Sequence, residues 1–305
     1  MKRALLSTLC LLTASAFQAQ VPQDFPLSPP TASLRVDVDL VELHVSVVDG
    51  LGRPVGGLRQ EDFKISENNI DQRITVFKHE DIPLSLGLVL DTSRSIEPRK
   101  DRLDAAALSF LERSNPDDET FLVHFDFEAR LTQSFTNDRA PVAQALREAK
   151  PFGQTAMFDA ILLALDTMKD ARHEKKALLL VTDGIDNASK GTLEEVLARV
   201  KREQVMIFPV GLLSETGGLK AGDALAKIAN ASGGRAYFPD TPDQARAMMD
   251  FIAKDLREQY TLAYLPSNVL RNGTWRAVRV DITPPKGYPK DLITNYRHGY
   301  YAPFE

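Results

Sequence analysis

Residues 84–95 read Leu84-Ser85-Leu86-Gly87-Leu88-Val89-Leu90-Asp91-Thr92-Ser93-Arg94-Ser95, and this stretch decides the fold of a 305-residue chain. An uncharged run rich in Leu and Val stops at a carboxylate, which predicts a strand buried on both faces, the mark of a parallel sheet. Asp91 then stands at the strand's carboxyl end. Open α/β sheets place their ligands outside that end. Asp91, Ser93 and Ser95 alternate along the chain, so in an extended loop their oxygens point the same way, toward one hard cation. Oxygen donors of mixed charge suit Mg²⁺ and not Zn²⁺.

Two later segments complete a pattern. Asp91-Thr92-Ser93-Arg94-Ser95 resembles the D-x-S-x-S motif of von Willebrand factor type A domains, where it forms a metal-ion-dependent adhesion site. Phe152-Gly153-Gln154-Thr155-Ala156-Met157-Phe158-Asp159-Ala160 resembles that family's threonine loop, with Gln154 where a second glycine is common. Lys176-Ala177-Leu178-Leu179-Leu180-Val181-Thr182-Asp183-Gly184 resembles the strand and T-D-G turn that carry its second aspartate. The motifs follow in the expected order, and the resemblance covers residues 83–258.

The resemblance implies a doubly wound, mostly parallel Rossmann-like α/β sheet. It also implies a site in which the hydroxyls of Ser93, Ser95 and Thr155 touch a divalent metal while Asp91 and Asp183 bind directly or through water. Mg²⁺, or Mn²⁺ or Ca²⁺, is the expected ion. Two carboxylates only neutralise a divalent ion and hydroxyls leave it electrophilic, so an open position favours an Asp or Glu carboxylate from a partner. That is adhesion chemistry, not bond breaking, and the chain is expected not to be an enzyme.

Taken singly, each of these residues has a plainer reading. Asp91 and Asp183 at strand ends are helix caps, and serines are turn formers. It is the joint presence of all five that favours a site. Thr182 and Gly184 read as shaping the turn around Asp183, and Asp159 as an N-terminal helix residue supporting its loop. The five histidines, His44, His79, His124, His173 and His298, lack metal-ligand spacing. Asp126 and Glu128, with His124, flank a strand end and read either as a satisfied loop, the reading preferred, or as facing the metal cleft. No G-x-S-x-G, H-E-x-x-H or Walker motif occurs. Asn187-Ala188-Ser189, Asn230-Ala231-Ser232 and Asn272-Gly273-Thr274 fit the glycosylation pattern.

Composition sets outer bounds. With 43% hydrophobic and 26% charged residues the chain is globular, and a net charge of −5 supplies no basic face for nucleic acid. Residues 1–19 read as a secretory signal peptide: a basic start at Lys2-Arg3, a short apolar run, and Ala14-Ser15-Ala16 as a cleavage signal. The single cysteine, Cys10, falls inside that segment, so the mature chain crosses into an oxidising compartment without disulfides. Residues 20–33, with Pro22, Pro26, Pro29 and Pro30, read as an extended tether.

Residues 34–80 and 259–305 show period-two alternation and hold too few strands to bury a core apart. They are expected to pack as one all-β sandwich, with the α/β domain of residues 81–258 inserted between them. A long strand with a bulge starts at Val36, and strands at 63–65 and 74–77 form a hairpin about Glu67-Asn68-Asn69, with no helix in this flank. From residue 82 strands and helices alternate. Strands follow at 260–264 and 275–282, and Tyr296 to Tyr301 is a last strand-like run. The expected protein is bacterial, secreted or periplasmic, with an acidic group on a protein or extracellular polymer as its partner. The alternatives are a metal-dependent hydrolase or phosphoryl-transfer enzyme with Asp91 as nucleophile, and a scaffold whose metal is purely structural. Ser93, standing where such an enzyme needs a second acid, counts against the first.

Overall fold

The computed structural model describes residues 40–183, 185–212 and 218–304. The segments expected to be a signal peptide (1–19) and a tether (20–33), the expected strand start at Val36 and Val38, and Gly184 lie outside the described residues. In chain order the first flank contributes β1 (Val41–Val48), β2 (Phe63–Glu67), β3 (Ile70–Gln72) and β4 (Ile74–Lys78). The middle of the chain contributes β5 (Leu84–Asp91), α1 (Lys100–Glu112), β6 (Glu119–Phe125), β7 (Ala129–Thr136), α2 (Arg139–Glu148), α3 (Met157–Thr167), β8 (Lys175–Thr182), α4 (Leu193–Arg202), β9 (Met206–Gly211), α5 (Gly218–Ser232) and α6 (Pro242–Arg257). The last flank adds β10 (Tyr260–Tyr264), β11 (Trp275–Ile282), β12 (Ile293–Asn295) and β13 (Gly299–Tyr301).

Every residue of β5 is buried, as an uncharged run predicts for a central strand. It pairs in parallel with β6 on one side and β8 on the other, in a five-stranded sheet of order β7-β6-β5-β8-β9. Only β7, at the edge, is antiparallel. Alternate residues of β5 serve opposite faces. Leu84, Leu86, Leu88 and Leu90 pack with Phe110 of α1, Leu146 of α2 and Met249 of α6. Val89 packs with Ile161 of α3, Val200 of α4 and Ile228 of α5. Gly87 leaves room on this second face: an added Cβ would lie 2.4 Å from both Leu178 Cδ2 and Phe121 Cζ. Helix starts follow their caps. Asp138 accepts from Ala140 N–H at 2.9 Å, Thr192 and Glu195 form a reciprocal box, and Thr241 precedes Pro242 in the first turn of α6.

The two flanks interleave in both sheets of a sandwich. One sheet runs β12-β1-β10-β4 and the other β13-β11-β2-β3, so each contains strands from before and after the α/β insertion. Val41, Leu43, Val45 and Val47 of β1, with Tyr260 and Leu262, face Phe63, Ile65, Val278 and Val280 across one apolar core. The inserted α/β sheet and the surrounding sandwich are the architecture the sequence predicts.

Several local expectations are corrected. The hairpin around Asn68 and Asn69, both at positive φ, joins β2 to β3, while β4 crosses to the other sheet and pairs with β10. The turn accommodates two left-handed asparagines, and β4 takes the apolar seat beside Leu262. A short 3₁₀ turn at Gln60–Asp62 breaks the all-strand reading of this flank. The slip expected at Val41 falls at the edge of the described residues; from Val41 to Val45 the register between β1 and β10 is regular, and an irregularity lies in β10, between Ala263 and Tyr264. The last run, Tyr296 to Tyr301, is a strand only at its end, where β13 joins β11, while β12, just before it, joins β1 in the other sheet.

Candidate metal centre

The cleft forms where β5, β6 and β8 end together. Asp91 closes β5 and Asp183 follows β8. Asp91 is buried with both oxygens engaged: Oδ1 accepts from Ser93 N–H at 2.8 Å and Oδ2 from the Thr182 hydroxyl at 2.6 Å. The Ser93 and Ser95 hydroxyls lie 3.1 Å apart, and Ser95 Oγ donates to Asp183 Oδ1 at 2.7 Å. Thus four of the five expected residues form one hydrogen-bonded set across two loops.

Thr155 reaches the cleft through the backbone. Phe152 N–H donates to Thr92 O at 2.8 Å and Arg94 N–H to Gly153 O at 3.3 Å, tying the threonine loop to the D-x-S-x-S loop. Ala156 N–H donates to Asp126 O at 2.6 Å, which ties it to the end of β6. Thr155 itself is buried. Its N–H goes to Asn187 Oδ1 at 2.9 Å and its carbonyl accepts from Asn187 N–H at 3.0 Å. The Thr155 hydroxyl joins none of these bonds among the described residues.

Electrostatics follow from burial. The Asp91 carboxyl is pushed up to about 6, chiefly by loss of water, with hydrogen bonds from Ser93 and Thr182 pulling it back and the Asp183 charge raising it further. Asp183 is raised for the same first reason, against the pull of Ser95 and Arg99. Two carboxylates that resist ionising, set among hydroxyls, form a donor set that fits a hard divalent cation. Among the described residues no three His, Cys, Asp or Glu side chains group as a ligand set, so hydroxyls are needed to complete one.

Arg99, unremarked in the sequence, donates from Nη1 to Asp183 Oδ2 at 2.8 Å and places a cation at the cleft. It sits at the end of a 3₁₀ turn, Arg94–Arg99, that contains Pro98. Asn187 is the other residue not anticipated; its glycosylation pattern drew attention to the right position for a different reason. Thr182 does more than shape a turn, since it donates to Asp91. Asp159 accepts from Lys190 N–H at 3.0 Å and Gly191 N–H at 2.8 Å, pinning the loop beyond Asp183. Asp126 is satisfied by Glu128 N–H and by Arg130. His124 is buried against Thr132 and held down at about 4, so it is neutral.

The family profile of the von Willebrand factor type A domain matches residues 86–185. No curated protein sequence matches the chain. Among solved structures, a point mutant of the PilB minor pilin from Streptococcus sanguinis superposes with a TM-score of 0.51 at 13% identity, covering 71% of this chain and 78% of that one. The von Willebrand factor domain of the type V pili tip protein Mfa5 from Porphyromonas gingivalis gives 0.47 at 14% identity, covering 57% of this chain and 95% of that one. Proximal thread matrix protein 1 from the mussel byssus, in a structure with a zinc-occupied adhesion-site motif, gives 0.49 at 19% identity, covering 62% and 49%.

Proposed function

We propose that the cleft, which lies within the residues 86–185 matched by the von Willebrand factor type A profile, is a metal-dependent binding site for an acidic group on a protein or extracellular partner. The observation that carries this reading is the continuous set from Asp91 through Ser93 and Ser95 to Asp183, with the Thr155 loop stitched onto it by backbone bonds. Ser93, Ser95 and Thr155 would offer neutral oxygens, and Asp91 and Asp183 the charge. Mg²⁺, with Mn²⁺ or Ca²⁺ as substitutes, is the ion such donors suit, and when bound it supplies an electrophilic position for an incoming carboxylate. Ser93, and not a second acid, stands two residues after Asp91, which counts against Asp91 as the nucleophile of a hydrolase or phosphoryl-transfer enzyme. A binding role is therefore favoured over an enzymatic one.

We place the protein outside the bacterial cytoplasm, secreted or periplasmic, because the basic start at Lys2-Arg3, the short apolar run and Ala14-Ser15-Ala16 fit a secretory signal peptide. Among the described residues no helix is long and apolar enough to cross a membrane. The test is melting in the presence of Mg²⁺ or Mn²⁺. At a concentration of about 100 times Kd an ion that binds only the folded state adds about 2.7 kcal/mol. The midpoint rises by several degrees in the wild type and stays fixed in Asp91→Ala and Ser93→Ala. An equal rise in both variants sinks the site. A metal-dependent pull-down from the native envelope, wild type against Ser93→Ala, then isolates the partner.

A further inference from the structure

Three loops at the cleft each hold a large apolar side chain in solvent. Phe127, next to Asp126, is 47% exposed, Phe152, three residues before Thr155, is 55% exposed, and Ile185, two residues after Asp183, is 41% exposed. Nothing in the packing requires them there, because none belongs to the apolar clusters on either face of the sheet. The Phe127 and Phe152 rings meet edge to face, with centroids 5.8 Å apart and planes at 81°. Gly153 makes this possible: it adopts φ +73, and an added Cβ would come within 3.0 Å of Phe127 Cδ1. The same Gly153 accepts from Arg94 N–H at 3.3 Å, so the ring pair is anchored to the D-x-S-x-S loop. Arg94 is exposed beside it and has no ion-pair partner among the described residues.

We propose that Phe127, Phe152 and Ile185 form an apolar rim that selects protein segments in which the captured Asp or Glu stands next to a large aliphatic or aromatic side chain. The inference rests on the reading of the cleft as a metal-dependent carboxylate site. Exchanging a water for one carboxylate in an open cleft gains little by itself, so discrimination must come from area buried alongside it. The Arg94 charge and the electrophilic cleft draw the acid, and the adjoining rings take its apolar neighbour. Rings at right angles form a notch and not a flat platform, which suits a wedged side chain better than a stacked sugar.

The probes are two N-terminally labelled peptides, Gly-Gly-Glu-Gly-Gly-amide and Gly-Phe-Glu-Leu-Gly-amide, titrated in excess Mn²⁺ with anisotropy as readout. The second binds the wild type about tenfold tighter, the equivalent of burying one exposed ring. In a Phe127→Ser/Phe152→Ser double variant the preference drops below about twofold, and in Phe127→Leu/Phe152→Leu it returns, on the same transfer argument. Melting with Mn²⁺ verifies that each variant is folded. Equal affinity for the two peptides, a preference that survives the double serine change, or tighter binding of an oligogalacturonate than of either peptide overturns the rim. Binding of both peptides without Mn²⁺ overturns the metal reading and the rim together.

Discussion

Arg99 should hold the affinity of the cleft for divalent ions down, and its replacement should raise it. The guanidinium donates to Asp183 Oδ2 at 2.8 Å, and the Asp183 side chain is 2% exposed against 39% for Arg99. A divalent ion and a guanidinium that share one carboxylate are on the order of 5 Å apart. With an effective dielectric of about 40 to 80 for a half-exposed cation, their repulsion is about 2–3 kcal/mol. Salt and solvent reduce this further, to about 1–2 kcal/mol, which is roughly a tenfold change in Kd. Arg99→Met removes the charge and keeps much of the stem, so Mn²⁺ should bind roughly tenfold tighter by calorimetry. Arg99→Lys keeps the charge and should stay near wild type. The effect should shrink as salt rises. If Arg99→Met binds Mn²⁺ no tighter, or more weakly than Arg99→Lys, the guanidinium is not a competitor and its contact with Asp183 serves only to place that carboxylate.

Three further outcomes follow from burial and packing. In the ion-free protein Asp91 and Asp255 sit at about 6 against an ordinary 3.8, so the unfolded chain ionises first and they remove stability as pH rises from about 4 to 6. His44 and His124, held at about 4 against 6.5, are neutral when folded and charged when unfolded, and they add stability as pH rises over nearly the same window. The opposed pairs leave the wild type nearly flat there. Asp255→Asn should tilt the curve upward by about 3 kcal/mol between pH 4 and 6, read by urea unfolding; a curve parallel to wild type refutes the assignment. Gly87→Ala forces a methyl against Leu178 and Phe121 and should cost about 1–3 kcal/mol, or more if the strand cannot shift. Glu67→Gln removes the charge opposite buried Arg276 in the sandwich, where Glu67 also accepts from Tyr264 at 2.8 Å and Tyr300 at 2.7 Å. A loss of about 3–5 kcal/mol is expected, and one below about 1 kcal/mol would show the charge to be solvated.

What was legible in the sequence is what local rules dictate. The β5 run is uninterrupted because both faces are buried, and the alternation of strands and helices beyond residue 82 shows in periodicity confined to each segment. β3 was not legible. Its residues are Ile70, Asp71 and Gln72, two of them exposed, and only pairing with Ile65 to Glu67 makes them a strand. β4 read correctly as a strand but was given to the wrong partner, since its place beside β10 is set by a contact nearly 190 residues away, as with Ala263 and Val76. Alternation tells which face of a strand is buried and not which sheet buries it.

The same distinction governs the cleft. Asp91, Ser93, Ser95, Thr155 and Asp183 stood out because motif spacing within each loop is short. Arg99 and Asn187 did not, because each acts on a residue of another loop: Arg99 on Asp183, Asn187 on Thr155. The sandwich then sets how the cleft is presented. Ser46 of β1 bonds Asp255 of α6 across the junction with the insertion, next to the point where Asp118 accepts from Leu84 N–H at 2.8 Å and from Arg257 at 2.9 Å and so ties the start of β5 to the end of α6. Lys175, buried at the start of β8, donates to the last carbonyl but one of α6. β5 spans the distance between this junction and Asp91, and eight residues of strand cover roughly 25 Å. The contact of the sandwich with α6 thus lies a strand's length from the cleft, at the amino rather than the carboxyl ends of the parallel strands.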